Sequence, residues 1–424
     1  MSFKLPSFLR HVGPGVVTGA ADDDPSGIAT YTQAGAQFGT ALLWTVFLSL
    51  PFMIAIQLVS ARIGRVTGKG VAANLRAHTP RWFLMTMVLL LVVANTINIA
   101  ADIAAMGEAL QLVAGGGAHF HAVVFGMLTV ALQIFVPYRK LAPILKWLTL
   151  FLFSYVIAVL LVDVPWLKVL RDLVIPKLQW TSGYWMMIVA LLGTTISPYL
   201  FFWQASQEVE ELRLKKQLGQ GNISGDKAVR HDLKRVKRDT FLGMFFSNAV
   251  AFFIMLLGGV VLYGAGIRDV TSAAQAAQSL RPLAGDFAFV LFAGGIIATG
   301  MLAVPVLASS AAYAVAEAFG WPEGLERRWF EARRFYAIIA LATLVGTGLD
   351  FTPIDPMKAL YWSAVINGVV AVPIMVGLML LAGKKEVMGN FTSGTKTRWF
   401  GWGGVGVMGF AVLMMFRDVI GQWH

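Results

Sequence analysis

Ala21-Asp22-Asp23-Asp24-Pro25-Ser26-Gly27-Ile28 lies inside an otherwise apolar stretch running from Val12 to Leu43. Three adjacent carboxylates at bilayer depth cost roughly 2.5–3.5 kcal/mol each on insertion scales. Pro25 removes a backbone donor and clashes with the preceding turn. Ser26 and Gly27 loosen the chain further. The stretch therefore reads as a broken membrane helix whose free carbonyls and carboxylates await something positive. The competing reading is a short loop outside the membrane. It would leave Ile28 to Leu43 without a spanning partner.

A second defect, Gly193-Thr194-Thr195-Ile196-Ser197-Pro198, interrupts the apolar run from Trp185 to Gln204. It has small hydroxyl residues and a proline, but no charge. Pro198 taken alone would be a tolerated kink. Two interrupted helices at corresponding places in two halves point instead to an inverted-repeat transporter with a midplane site.

The composition fits a membrane setting. Of the 424 residues 57% are hydrophobic and only 13% charged, against roughly 25% charged in soluble domains. Mean hydropathy is +0.69. Backbone groups in lipid must bond internally, so the long apolar runs must be helices. The ten-residue alternation of a membrane barrel is absent. There is no cysteine, which removes disulfides and thiolate chemistry. No cleavable signal peptide is expected, because no small-residue cleavage site follows a short apolar core.

Eleven spanning segments are predicted, at 12–36, 40–64, 82–112, 118–137, 141–163, 184–206, 240–265, 284–319, 335–351, 357–382 and 399–416. With the N-terminus in the cytoplasm, all but seven of the 34 Lys and Arg fall on the inside. The seven are Lys168, Arg171, Lys177, Arg268, Arg281, Lys358 and Arg417. This asymmetry supports the segment count and the orientation, and it places Trp423 and His424 outside. The net charge of +11 is thus a topology signal, and no nucleic acid is implied. The hydrophilic stretch 206–239 reads as a cytoplasmic loop with at most one amphipathic helix, and 166–183 as an interfacial outer linker. The halves are then 1–165 and 184–382, with 383–424 carrying the eleventh helix.

On the third segment Asn95, Asn98 and Asp102 share one helical face. Such a polar stripe faces the protein interior or a water path, or it serves only to bond helices together. Asn248, Glu317 and Asn367 read as single bonding positions. His119 and His121 read as residues of a solvated outer loop, because no further ligand is near in sequence.

Gly13-Pro14-Gly15, Asp24-Pro25-Ser26-Gly27 and Gln33-Ala34-Gly35-Ala36 together resemble the first-helix signature of the NRAMP metal-ion transporter family. Gly193 to Pro198 is similar to its sixth-helix region. The resemblance implies an all-α polytopic membrane protein of LeuT-type fold. That fold has two inverted five-helix repeats plus an eleventh helix, with helices one and six unwound at mid-membrane. By position, Asp24 matches the family's metal-binding aspartate. The carbonyls of Ala21 and Thr194 match its backbone contacts, and Asp102 matches an aspartate linked to proton movement. The sequence also departs from the family. Gly27 stands for the metal-binding Asn and Ser197 for the metal-binding Met. Tyr199 and Gln204 stand for two His, and Ala105 for a helix-three Glu. Asp22 and Asp23 are additional charges.

These departures make the site hard and oxygen-only, which suits Mg²⁺, Mn²⁺ and Ca²⁺. The expectation is a plasma-membrane carrier of divalent cations working by alternating access, with Mg²⁺ first and Mn²⁺ close behind. Its partners are the bilayer and the transported ion, with no cofactor and no obligatory protein partner. The metal set is Asp24, Ala21, Thr194, Ser197 and Asp23. The helix breaks fall at Pro25, Ser26, Gly27 and Pro198. Asp22, Asp102, Asn95, Asn98, Tyr199 and Gln204 form the access or proton path. Losing the histidines weakens proton coupling, although a proton-coupled Mn²⁺ or Fe²⁺ carrier is the alternative. An organic-solute carrier on the same fold would set a substrate carboxylate against three aspartates. A channel needs a continuous pore, and no constellation for an intramembrane enzyme is present.

Overall fold

The computed structural model describes residues 13–136, 149–217 and 226–421. Lys4, Arg10, Arg139, Lys140, Lys146, Trp423, His424 and the start of the fifth predicted segment lie outside the described residues.

The first segment is two helices, α1 (Pro14–Asp22) and α2 (Pro25–Phe38). The break follows from local chemistry. Asp24 is extended (φ −72°, ψ 171°) and caps α2 by accepting from the Gly27 amide. Aspartate is a preferred cap, and proline is tolerated at the first helical position. The residue before a proline is also pushed out of the helical region. The sixth segment breaks in the same way, into α9 (Ser182–Thr195) and α10 (Pro198–Gln217).

Between the breaks run α3 (Leu43–Thr67), α4 (Val71–His78), α5 (Arg81–Ala114), α6 (Ala118–Phe135), α7 (Phe153–Leu160) and α8 (Trp166–Val174). After them come α11 (Asp226–Leu257), α12 (Ala288–Phe319), α13 (Arg333–Leu349), α14 (Pro356–Gly383) and α15 (Thr395–Gly421). Eight spans, with α9 and α10 joined, are long and apolar enough to cross a membrane among the described residues. The other three predicted segments fall short of that length. One is broken, one is only partly described, and α13 has 17 residues.

Packing repeats between the halves. α1 lies along α11 while α10 lies along α3; α5 packs on α6 while α12 packs on α13. α3 meets α11, and α5 meets α12, across the pseudo-symmetry. This pairing of equivalent helices is the pattern of a fold built from two repeats. Small residues permit the closest approaches, as expected where lipid supplies no hydrophobic drive between helices. A Cβ added at Gly243 would come within 3.0 Å of the α1 backbone at Val16. One added at Gly193 would come within 2.7 Å of Gly368 on α14. Large apolar side chains such as Leu89, Phe135, Leu341 and Leu413 point outward, as lipid-facing positions should.

The 206–239 stretch is not mainly a loop. α10 continues to Gln217 and α11 begins at Asp226, so both membrane helices extend past the apolar zone. Their charges pair along and between helices, as in Glu211–Lys215 (2.9 Å) and Glu208–Arg235 (2.8 Å). His119 also differs from expectation. It lies in the first turn of α6, with its Nδ1 2.8 Å from Asp350.

Candidate metal site

Asp24 is 2% exposed, and both its oxygens are occupied. Oδ1 accepts from the Gly27 amide (2.7 Å) and the Ser26 hydroxyl (2.8 Å). Oδ2 accepts from Asn98 Nδ2 on α5 (2.9 Å) and, more loosely, from the Tyr199 hydroxyl on α10 (3.4 Å). That hydroxyl also reaches the Ala21 carbonyl at 3.1 Å. Tyr199 thereby brings the two helix breaks together. Tyr31 on α2 adds a second link, its hydroxyl 3.0 Å from Thr195 Oγ1.

The Asn98 amide also donates to Asp102 Oδ2 at 3.3 Å, and its carbonyl oxygen accepts from Asn367 on α14 at 3.5 Å. Asp102 Oδ1 is buried without a hydrogen-bond partner. Asp24, Asn98 and Asp102 thus form one connected polar path. Asn95, on the same face of α5, does not join it. Its amide donates to the Leu307 carbonyl (2.9 Å) and to Ser310 (2.7 Å) on α12, which is helix-to-helix bonding.

The other aspartates turn away from Asp24. Asp22 Oδ2 accepts from Ser247 on α11 at 2.6 Å, and Asp23 Oδ1 stands 3.3 Å from the same hydroxyl. Asp22 Oδ1 has no partner. Both residues are buried, so in this conformation they do not line the open cleft expected for Asp22. Among the described residues the ion pairs lie elsewhere, as in Arg65–Asp232 and Arg235–Glu208. Buried carboxylates without a basic partner favour a cation arriving from outside the fold.

Two further residues differ from their expected setting. Ser197 Oγ donates back to the carbonyls of Gly193 (3.1 Å) and Thr194 (2.8 Å). Gln204 spends its amide on packing, accepting from Gln57 (2.6 Å) and donating to Thr240 (2.7 Å). It makes no hydrogen bond to the site.

Ser247, Tyr31, Thr195 and Asn367 contribute contacts that the sequence reading did not assign to the site. The available signal was spacing: Tyr31 stands one helical turn after Gly27, and Ser247 precedes Asn248 at membrane depth. No group of three or more His, Cys, Asp or Glu side chains converges as a metal cluster among the described residues. Asp24 is bonded instead to an amide, hydroxyls and an asparagine side chain.

Residues 15–417 match the family model described as natural resistance-associated macrophage protein-like. The divalent metal cation transporter MntH of Klebsiella pneumoniae is 27% identical over 410 residues, covering 94% of this chain and 92% of the relative. A mutant of the manganese transporter of Eremococcus coleocola superposes with a TM-score of 0.74 at 18% identity, covering 99% of this chain and 90% of that one. MhsT in complex with L-phenylalanine superposes with a TM-score of 0.61 at 12% identity, covering 95% and 98%. At these identities the structural likenesses establish the LeuT-type fold. The family model spans nearly the whole chain, and on that ground the chain belongs to the Nramp family of membrane metal-ion transporters and is not an enzyme.

Proposed function

We propose that this carrier moves hard divalent cations by alternating access, with Mg²⁺ first and Mn²⁺ close behind. The observation that carries the reading is Asp24, a buried carboxylate at a helix break whose partners are all neutral groups. The ligands assigned to the ion beside it are oxygens of the two breaks: the Ala21 carbonyl, which shares the Tyr199 hydroxyl with Asp24, the Thr194 carbonyl and Ser197. Oxygen donors suit Mg²⁺ and Mn²⁺, whereas a thioether would favour softer metals. The Klebsiella relative is a divalent metal cation transporter and the Eremococcus relative a manganese transporter, which supports divalent metal as the cargo class. Asp22 and Asp23 then raise the local cation concentration once the bundle opens. The two inverted repeats are taken as 1–165 and 184–382, with the basic face and N-terminus in the cytoplasm of a plasma membrane and the C-terminus outside, and rocking of the bundle exposes the site alternately to the two sides.

A second reading, proton-coupled Mn²⁺ or Fe²⁺ transport, is favoured by one observation. Asn98 joins Asp24 to Asp102, whose second oxygen is free.

Uptake of Mg²⁺ and Mn²⁺ into reconstituted vesicles, with and without a pH gradient, separates these readings. Ca²⁺ and Cd²⁺ serve as competitors. The expected result is Mg²⁺ and Mn²⁺ uptake insensitive to the gradient, and its loss in Asp24→Ala. Dominant Cd²⁺ competition would overturn the hard-ion reading, and normal uptake by Asp24→Ala would overturn the site.

A further inference from the structure

We infer that the Thr194 hydroxyl, and not only its carbonyl, is a direct oxygen ligand of the transported ion, filling the place left open by Gly27. The inference rests on the reading of Asp24 as the ion's carboxylate.

Three hydroxyl side chains flank the second helix break. Thr195 donates to the Leu191 carbonyl at 2.6 Å, one turn back. Ser197 donates to the Gly193 and Thr194 carbonyls. A hydroxyl near a helix end ordinarily satisfies itself in this way. Thr194 Oγ1 takes no such bond among the described residues, although Thr194 is only 2% exposed. A hydroxyl that is not spent on its own helix is available to bind something else.

Its position says what that something is. A Cβ built at Gly27 would stand 3.0 Å from Thr194 Oγ1, 3.4 Å from Asp24 Oδ1 and 3.5 Å from the Ala21–Asp23 turn at the Asp22 carbonyl. The hydroxyl therefore sits over the bare face of Gly27, beside the carboxylate. Of the three neighbours Oγ1 is the tightest, so a side chain at 27 would have to push it by a few tenths of an ångström. The two positions are therefore coupled: a side chain at 27 crowds the hydroxyl at 194. One neutral oxygen donor is supplied from α9 where α2 supplies none. A neutral hydroxyl keeps the site hard.

The test uses the full-length purified protein, with Mn²⁺ binding by calorimetry and Mn²⁺ uptake in vesicles. Thr194→Val keeps the shape and removes the donor. It should weaken Mn²⁺ binding on the order of tenfold, as loss of an ordering contact at a metal site does. Thr194→Ser keeps the donor and should stay within about threefold of the unaltered protein. Gly27→Asn alone should lose binding through the clash. Gly27→Asn with Thr194→Ala should regain it, because the new amide oxygen takes the vacated place. Elution as a folded monodisperse species checks each variant. Unchanged binding in Thr194→Val, or a double variant no better than Gly27→Asn, overturns the inference. Undiminished binding in Asp24→Ala is a different result, and it sinks the site reading itself.

Discussion

The Tyr199 hydroxyl bridges the Ala21 carbonyl oxygen, at 3.1 Å, and Asp24 Oδ2, at 3.4 Å. These are two of the oxygens assigned to the ion, so a hydroxyl lies between groups that the ion must share. A carboxylate has about four acceptor sites, and Asp24 already accepts four bonds. The longest of them, to Tyr199, is the one an ion displaces at least cost.

Tyr199→Phe removes this internal competitor while keeping the ring that packs in the core. A hydrogen bond is worth about 0.5–1.5 kcal/mol net, so Mn²⁺ should bind about two- to tenfold more tightly. Calorimetry and the KM for vesicle uptake both report this. A raised KM would mean that the hydroxyl helps hold the ion instead of competing with it.

Ser247 offers one proton to two buried carboxylates, Asp22 and Asp23. Ser247→Ala should destabilise the protein by about 1–3 kcal/mol, the cost of leaving a buried acceptor unsatisfied. A lowered thermal midpoint in detergent, largely restored by Ser247→Thr, is the expected outcome. An unchanged midpoint would mean that neither carboxylate depends on this hydroxyl.

The helix breaks were legible because Asp-Pro-Ser-Gly at 24–27 carries its own capping chemistry, independent of any partner. The offset between the two breaks made an inverted-repeat transporter legible, and the LeuT-type architecture came from the resemblance of the first-helix residues to the NRAMP signature. What sequence could not resolve depends on rotation and packing. Asn95 and Asn98 share a face of α5, yet one meets α12 and the other meets Asp24, because the helix passes between two neighbours at different depths. Thr194, Thr195 and Ser197 look alike in sequence, and only the geometry tells which hydroxyl remains free. The polarity of the 206–239 stretch suggests a loop. Its Glu, Lys and Arg are good helix formers, and the membrane helices on either side extend into it.

Asp239 on α11 accepts from the amides of Gly13 (3.2 Å) and Gly15 (2.7 Å), capping α1 from another helix. An α1 held this way opens only when the cap releases. Asp239→Ala should cost ~1 kcal/mol, the usual value of a cap, and raise hydrogen exchange in residues 14–22 above that elsewhere in the bundle. Asp239→Asn keeps an acceptor and should restore most of the protection. Exchange that rises uniformly would count against a local tether.

α8 is tied down by a carboxylate outside the spanning segments. Burial pushes the Asp172 carboxyl up, but Lys177 (2.5 Å) and the Thr40 hydroxyl (2.6 Å) more than reverse it and hold it below the usual range. A carboxyl lowered on folding stabilises fully above its unfolded value, about 3.9. That contribution fades as pH falls through the lower folded value. Thermal midpoints taken from about pH 6 to about pH 3 should therefore drop less steeply for Asp172→Asn than for the unaltered protein. Parallel slopes would remove Asp172 from the account of acid sensitivity.

Ser197 tests the chemical basis of selectivity. Its hydroxyl is turned onto the Gly193 and Thr194 carbonyls, so it restrains two oxygens at the break and offers the ion nothing soft. Ser197→Met releases both carbonyls and adds a polarisable thioether, which prefers late and heavier metals over Mg²⁺. Competition by Cd²⁺ against Mg²⁺ uptake should strengthen on the order of tenfold, consistent with exchanging a hard donor for a soft one. Mn²⁺, intermediate in softness, should change less than either. If Cd²⁺ competition stays constant while uptake remains active, residue 197 does not face the ion, and hardness must then be set by Asp24, Thr194 and the carbonyls alone.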